Sequence, residues 1–240
     1  MSPLRLWFFF GGALLMLLLV TLPLRLAVGG LEARGFSAAR GTGSVWNGRL
    51  EEVAYAGAPL GDAQVGLQPL PMIAGMRRLN LELLDGPATG RAVLVTGGDS
   101  AGFTDADGRL QAALLPLPVP LAGEIVVEGA TVLFEEGACR HAEGRVTTDV
   151  LRRSAARLQW SGPELSGELA CQGAAVVAPL TGQDGATRVD VTVRFEGDGR
   201  YRLATRVLTS DVGLGAVLLL GGFQRGPDGL SRVDEGRYRQ

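Results

Sequence analysis

Cys139-Arg140-His141-Ala142-Glu143 sets the only histidine of this 240-residue chain two positions from one of its two cysteines. A thiolate beside an imidazole is the nucleophile–base pair of cysteine catalysis. On a strand, residues two apart share a face, so Cys139 and His141 could meet. The second cysteine, Cys171, lies 32 residues further on, which fits no Cys-x-x-Cys redox or zinc pattern. An even pair in an exported domain reads as a disulfide, and closing such a loop contributes about 3–4 kcal/mol in the chain-entropy model. The other reading is two buried free thiols in a cytoplasmic protein. No Asn or Asp near His141 completes a triad, and a bridged thiol is no nucleophile. The sequence therefore favours a Cys139–Cys171 disulfide with His141 as an exposed neighbour.

The remaining candidates fail on register or composition. Asp105-Ala106-Asp107-Gly108 imitates half a calcium loop, but that loop needs an acid where Phe103 stands and a Glu where Leu114 stands. Glu135 and Glu136 are adjacent, so a strand turns them to opposite faces. One histidine excludes multi-histidine metal sites. All 23 basic residues are arginine, which excludes Schiff-base and P-loop lysines. No G-x-S-x-G, P-loop or dinucleotide fingerprint is present. The net charge is −2, and without residues 1–29, which carry two arginines and no acids, it falls to −4. No basic face for nucleic acid follows from that balance. The sequence therefore assigns no catalytic, cofactor or metal residue, and the expectation is a protein that is not an enzyme and takes no small-molecule substrate.

Stepping outward, the elements read as strands. Glycine supplies 36 of the residues, about twice the usual ~7 %, and the apolar pattern after Leu31 has period 2. Trp46-Asn47-Gly48 holds an Asn-Gly pair between short apolar stretches, a hairpin signal, with Trp46 expected to anchor a core. Further turns are expected at Asp85-Gly86-Pro87, Asp107-Gly108, Asp198-Gly199 and Asp228-Gly229. Val189 to Phe195 and Tyr201 to Val207 alternate cleanly and flank one of them, so one face is packed and the other wet. Gly123 and Gly129, inside strand-like stretches, suggest bulges or bends. Three prolines between Leu114 and Leu121 mark an extended crossover that divides the domain into lobes over residues 30–120 and 121–240. Short helices are expected over 149–160, with Asp149 as cap candidate, and over 211–220.

Leu6 to Leu24 is an uncharged run of 19 residues, about 28 Å as a helix, near the ~30 Å hydrocarbon core. It reads as an uncleaved anchor within a head and anchor segment of residues 1–29. A secretory signal, whose apolar region is normally only ~7–15 residues, is the rival reading. The fold expected is mainly β: an N-terminal transmembrane helix, then a curved, mostly antiparallel sheet with one or two short helices.

The order of these pieces carries a resemblance. After the apolar segment come Gly43 to Gly48, Gly61 leading to Leu67-Gln68-Pro69-Leu70-Pro71, then Leu117 to Gly123. Cys139 with Gly144-Arg145-Val146, Leu169-Ala170-Cys171, Gly199 to Leu203 and Gly236-Arg237-Tyr238 follow. Over nearly the whole chain this order resembles the type II secretion system protein N family. The resemblance implies a single-pass inner-membrane protein with a periplasmic β-rich domain. It would support export of folded proteins across the outer membrane, without catalysis, with other inner-membrane secretion subunits as partners. The strand-and-glycine style is also similar to that of AsmA-like membrane proteins, whose curved sheets offer an apolar groove; lipid handling is the alternative.

Overall fold

The computed structural model describes residues 10–11, 14, 17–18, 21–24, 36–55, 57–73, 75–114, 122–155, 160 and 162–237. Strands β1 (Phe36–Ser37), β2 (Arg40–Ser44), β3 (Asn47–Tyr55) and β4 (Ala58–Leu67) open the sheet. Next come β5 (Arg77–Asp85), β6 (Ala88–Gly97), β7 (Ser100–Gln111), β8 (Glu124–Glu135) and β9 (Ala138–Thr148). The rest are β10 (Leu165–Glu168), β11 (Ala170–Gln172), β12 (Ala175–Asp184), β13 (Thr187–Glu196), β14 (Arg200–Leu208), β15 (Gln224–Gly226) and β16 (Gly229–Arg237). Three short helices interrupt them: α1 (Pro69–Ile73), α2 (Val150–Ala155) and α3 (Val212–Leu220).

All these strands form one antiparallel meander of 16 strands in the order β1-β3-β4-β5-β6-β7-β8-β9-β10-β12-β13-β14-β16-β15, with β2 on β3 and β11 on β12. Among the described residues the order does not close on itself, so this is an open sheet and not a barrel. The accessible surface is 15087 Å² for 25.1 kDa, against about 10,300 Å² for a compact monomer of that mass. β7 pairs directly with β8 along most of its length, so the sheet runs on past residue 120. The proline-rich crossover itself, residues 115–121, lies outside the described residues.

One face of the sheet is mainly apolar. At the amino-terminal end Leu24, Leu50, Val53, Ala63 and Val65 form a buried cluster, with Leu79, Leu81 and Leu83 against it. At the other end Leu165, Ala178, Leu180, Val189 and Val207 are covered by Leu151 of α2, Trp160, Leu218 of α3 and Phe223. A third cluster, Val132, Cys139 and Val176, joins them. The sheet bends at bulges. The register slips between Leu50 and Val53 on β3, between Phe103 and Gly108 on β7, and between Glu128 and Thr131 on β8.

Helices are present in both expected places, α3 over Val212–Leu220 and α2 over Val150–Ala155. Residues 156–159 of the expected 149–160 helix lie outside the described residues and Trp160 is not helical; a third helix, α1, was not expected. Asp211 caps α3, its carboxylate accepting the N–H groups of Gly213 and Leu214 at 2.8 and 3.0 Å. The β13–β14 hairpin falls where expected, pairing Val189 with Val207 and Phe195 with Tyr201. Two turn expectations are corrected. Ser44 pairs with Asn47, so the hairpin turn is Val45-Trp46 and Asn47-Gly48 opens β3. Gly48 is needed there for space: a Cβ would meet the Leu24 side chain at 2.6 Å and the Ser44 carbonyl at 2.8 Å. Asp107-Gly108 lies within β7 at a bulge, where the residue with positive φ is Asp105, at 52°.

Of residues 6–24, only Phe10, Gly11, Leu14, Leu17, Leu18 and Thr21–Leu24 are described. The first five are helical, and Thr21 ends that run by donating its N–H to Leu17 O at 3.0 Å. Among the described residues no helix is long and apolar enough to cross a membrane.

Candidate functional site

The cysteine pair is a disulfide, Cys139–Cys171, with Cα atoms 5.6 Å apart. Its position explains its value. β10 pairs with β9 from Leu165 to Glu168, but beyond Glu168 the chain steps to β11, which pairs with β12. The bridge ties β9 to β11 across that step, beside the bond from Cys139 N–H to Ala174 O at 2.9 Å.

His141 does not face Cys139. The β8–β9 register slips between Leu133 and Phe134, so His141 opposes Leu133 and Cys139 opposes Phe134. Arg140 is the extra residue, and the bulge turns Cys139 into the core while His141 points to solvent, 50 % exposed and 3.3 Å from Glu143. Same-face placement of residues two apart holds only along an unbroken strand. The imidazole and the bridged sulfur therefore make no common centre.

Three carboxylates, Asp62, Asp107 and Asp149, are committed to backbone and arginine partners. Asp62 accepts the Glu52 N–H at 3.1 Å and pairs with Arg49 at 2.9 Å; these bonds, the one from Arg49 foremost, hold its carboxyl below the usual aspartate range. Asp107 accepts the Gly129 N–H at 2.8 Å and pairs with Arg91 at 3.1 Å, and is lowered by the Gly129 bond first and Arg91 second. Asp149 accepts the Glu124 N–H at 2.8 Å and meets Arg153 at 2.6 Å. Its burial pushes the carboxyl up, but those two bonds outweigh it and the group is lowered. Asp62 and Asp107 thus clamp bulged N–H groups across neighbouring strands. Asp149 was a cap candidate; its side chain instead joins the start of β8 to α2, a role that no local sequence signal announces. Among the described residues no group of three or more His, Cys, Asp or Glu could hold a metal ion.

Trp46 is half-buried and lies outside the three buried clusters, whereas its neighbour Val45 is 3 % exposed. The core contact falls one residue earlier than the sequence suggested, because the two-residue turn is Val45-Trp46. Trp46, Asn47, Gln64, Asn80, Glu82 and Arg91 instead line a polar trench of about 470 Å³ on the wet face. Gln64 Nε2 donates to Asn47 Oδ1 there at 3.0 Å.

The apolar face carries a hollow of similar size. Between its two end clusters lies an open groove of about 430 Å³, lined by Leu81, Leu83, Leu94, Phe103, Leu110 and Ile125 among others. It adjoins an apolar hollow formed by Leu50, Val53, Ala63 and Leu79. The alternation that drives these side chains to one face sends Asn80, Glu82 and Arg91 to the other.

Comparison with known proteins returns no match among curated proteins and none among solved structures. A family model does match, that of the type II secretion system (T2SS), protein N, over residues 34–233. The match takes in the sheet from β1 to β15 and most of β16, including both cysteines. The chain belongs to the type II secretion system protein N family.

Proposed function

We infer that the chain is a non-catalytic component of the type II secretion machinery, held in the inner membrane by residues 6–24 with its sheet in the periplasm. It supports export of folded proteins across the outer membrane by offering sheet surfaces to other inner-membrane subunits. The family match over residues 34–233 carries this reading. A disulfide is at home in an oxidising compartment, and the carboxylates named above serve the fold. Deleting the gene and following exoproteins in the medium tests the reading. The expected result is exoprotein retained in the periplasm, restored by the full chain but not by a chain lacking residues 1–29. Undiminished secretion, with no machine subunit copurifying, would count against it.

A second reading, lipid handling in the manner of AsmA-like proteins, is favoured by one observation. The middle of the apolar face is an open groove with a volume in the range of small-molecule sites, while the carboxyl-terminal end of the same face is covered by the chain's own helices. It predicts phospholipid retained through purification in detergent and lost on Leu81→Arg. A lipid-free preparation by mass spectrometry would rule it out.

A further inference from the structure

The amino-terminal segment lands on one corner of the sheet, beside α1. Leu24 N–H donates to Gly43 O at 3.1 Å, and Val45 N–H donates to Leu22 O at 3.0 Å. Leu67 N–H then donates to Val45 O at 2.9 Å. Two hydrogen bonds in series therefore connect the end of the apolar segment to the strand that leads into α1. Upstream of that contact, Phe10, Leu14, Leu17 and Leu18 are helical and 50–64 % exposed.

Beside this landing, α1 and its exit present large apolar side chains to solvent. Leu70 is 78 % exposed, Met72 42 % and Met76 41 %. The next two residues are Arg77 and Arg78. Neither side chain has a hydrogen-bond or ion-pair partner among the described residues, and Arg78 Nε is buried without one. On the wet face beyond, Arg49, Arg91, Arg140 and Arg145 each meet a carboxylate; what sets Arg77 and Arg78 apart is that they are adjacent and follow the exposed Leu70, Met72 and Met76. The acids at this end of the sheet, Asp99, Glu135, Glu136, Glu196 and Asp198, sit at turns from β6 onward. A twist of about 20–25° per strand rotates those turns progressively out of the plane of the first few.

We propose that α1, with Leu70, Met72 and Met76, lies in the surface of the bilayer that carries the chain's own amino-terminal segment, with Arg77 and Arg78 paired to anionic phospholipid headgroups. Large apolar side chains flanked by arginine suit the interface, where the side chains enter the acyl boundary and the guanidinium groups stay at phosphate level. Few residues separate Leu18 from the contact at Leu22–Leu24, which keeps α1 close to where a spanning helix would leave the membrane. The contact fixes the sheet's orientation on the membrane, with the β4–β5, β6–β7 and β8–β9 connections near it and the β5–β6 and β7–β8 connections away from it. This inference rests on residues 6–24 being a bilayer span.

The test uses the full chain in vesicles of phosphatidylethanolamine and phosphatidylglycerol. A nitroxide is placed through Met72→Cys, through Leu70→Cys as a second site, and through Ala186→Cys at the opposite end of the strands; the native cysteines are bridged and do not label. At Met72 and Leu70 accessibility to a water-soluble nickel complex is expected to be at least about threefold lower than at Ala186, with oxygen accessibility higher. Arg77→Gln with Arg78→Gln should reduce that difference, and so should replacing phosphatidylglycerol with phosphatidylcholine. Chain that floats with the vesicles while Met72 and Leu70 are as open to nickel as Ala186 overturns the interfacial contact and leaves the span intact. Chain that does not float overturns both.

Discussion

Asp149 shows most directly how single residues hold this sheet in shape. Its carboxylate, 13 % exposed, takes the Glu124 N–H at the entry to β8 and two arginines of α2, Arg152 at 3.7 Å and Arg153 at 2.6 Å. Asp149→Ala leaves that N–H without its acceptor and should lower stability by about 1–3 kcal/mol at neutral pH in urea unfolding. The folded-state carboxyl is lowered, so its contribution is complete above the unfolded aspartate value of about 3.9 and is lost as pH falls through the folded one. The gap between wild type and variant should therefore narrow below about pH 4; a gap that widens there would refute the assignment. At this scale the sequence is legible by type and often wrong by one position. Pairing of the two cysteines could be read from their number, but not the Arg140 bulge that separates His141 from Cys139. Trp46 and Val45 exchange roles for the same kind of reason: a two-residue turn decides the face, and its register depends on Leu24, far away in sequence.

Among the elements, the disulfide and the glycines do separable work. Reducing Cys139–Cys171, or replacing both with serine, releases a 32-residue loop and should remove about 3–4 kcal/mol; an unchanged urea midpoint would contradict this. Gly61 has φ +105°, and a Cβ there would sit 1.6 Å from Asp85 O on the neighbouring strand. Gly57 has φ +85° with nothing within 4 Å. Gly61→Ala should therefore destabilise by at least about 3 kcal/mol and Gly57→Ala by only about 1–2. Equal effects would mean that backbone angle alone, and not strand approach, fixes both. Strand existence was readable wherever alternation was unbroken, as in β13 and β14. α3 was readable from its Asp211 cap and apolar run. α1 was not, because five residues with two prolines carry no helical period. The bulges of β3, β7 and β8 were only partly visible, since the cross-strand clamps of Asp62 and Asp107 are long-range contacts.

The described residues form an open antiparallel sheet whose apolar face is capped by helices at the carboxyl-terminal end and forms a groove in the middle. Its edges are short: β1 has two residues and β15 three, which limits indiscriminate strand pairing. β15 covers β16 only from Gly229 to Ser231, so among the described residues the rest of the outer edge of β16 is open to a partner. Family membership was legible in the order of motifs, although no single motif is specific. The groove entered only through the AsmA-like alternative and its place on β5–β8 was not readable, because open and filled apolar faces share one alternation pattern. The central claim, that this sheet is a subunit-contacting part of the secretion machine, is tested most directly by photo-crosslinking in cells that are secreting. Photoreactive residues are placed at Arg225 and Val233 on the β15–β16 edge and at Thr42 on β2, with Asn80 in the wet-face trench for comparison. The account predicts adducts from the edge positions with another inner-membrane subunit of the type II machine, lost when that machine is deleted. Adducts that are absent, or that persist without the machine, would contradict it.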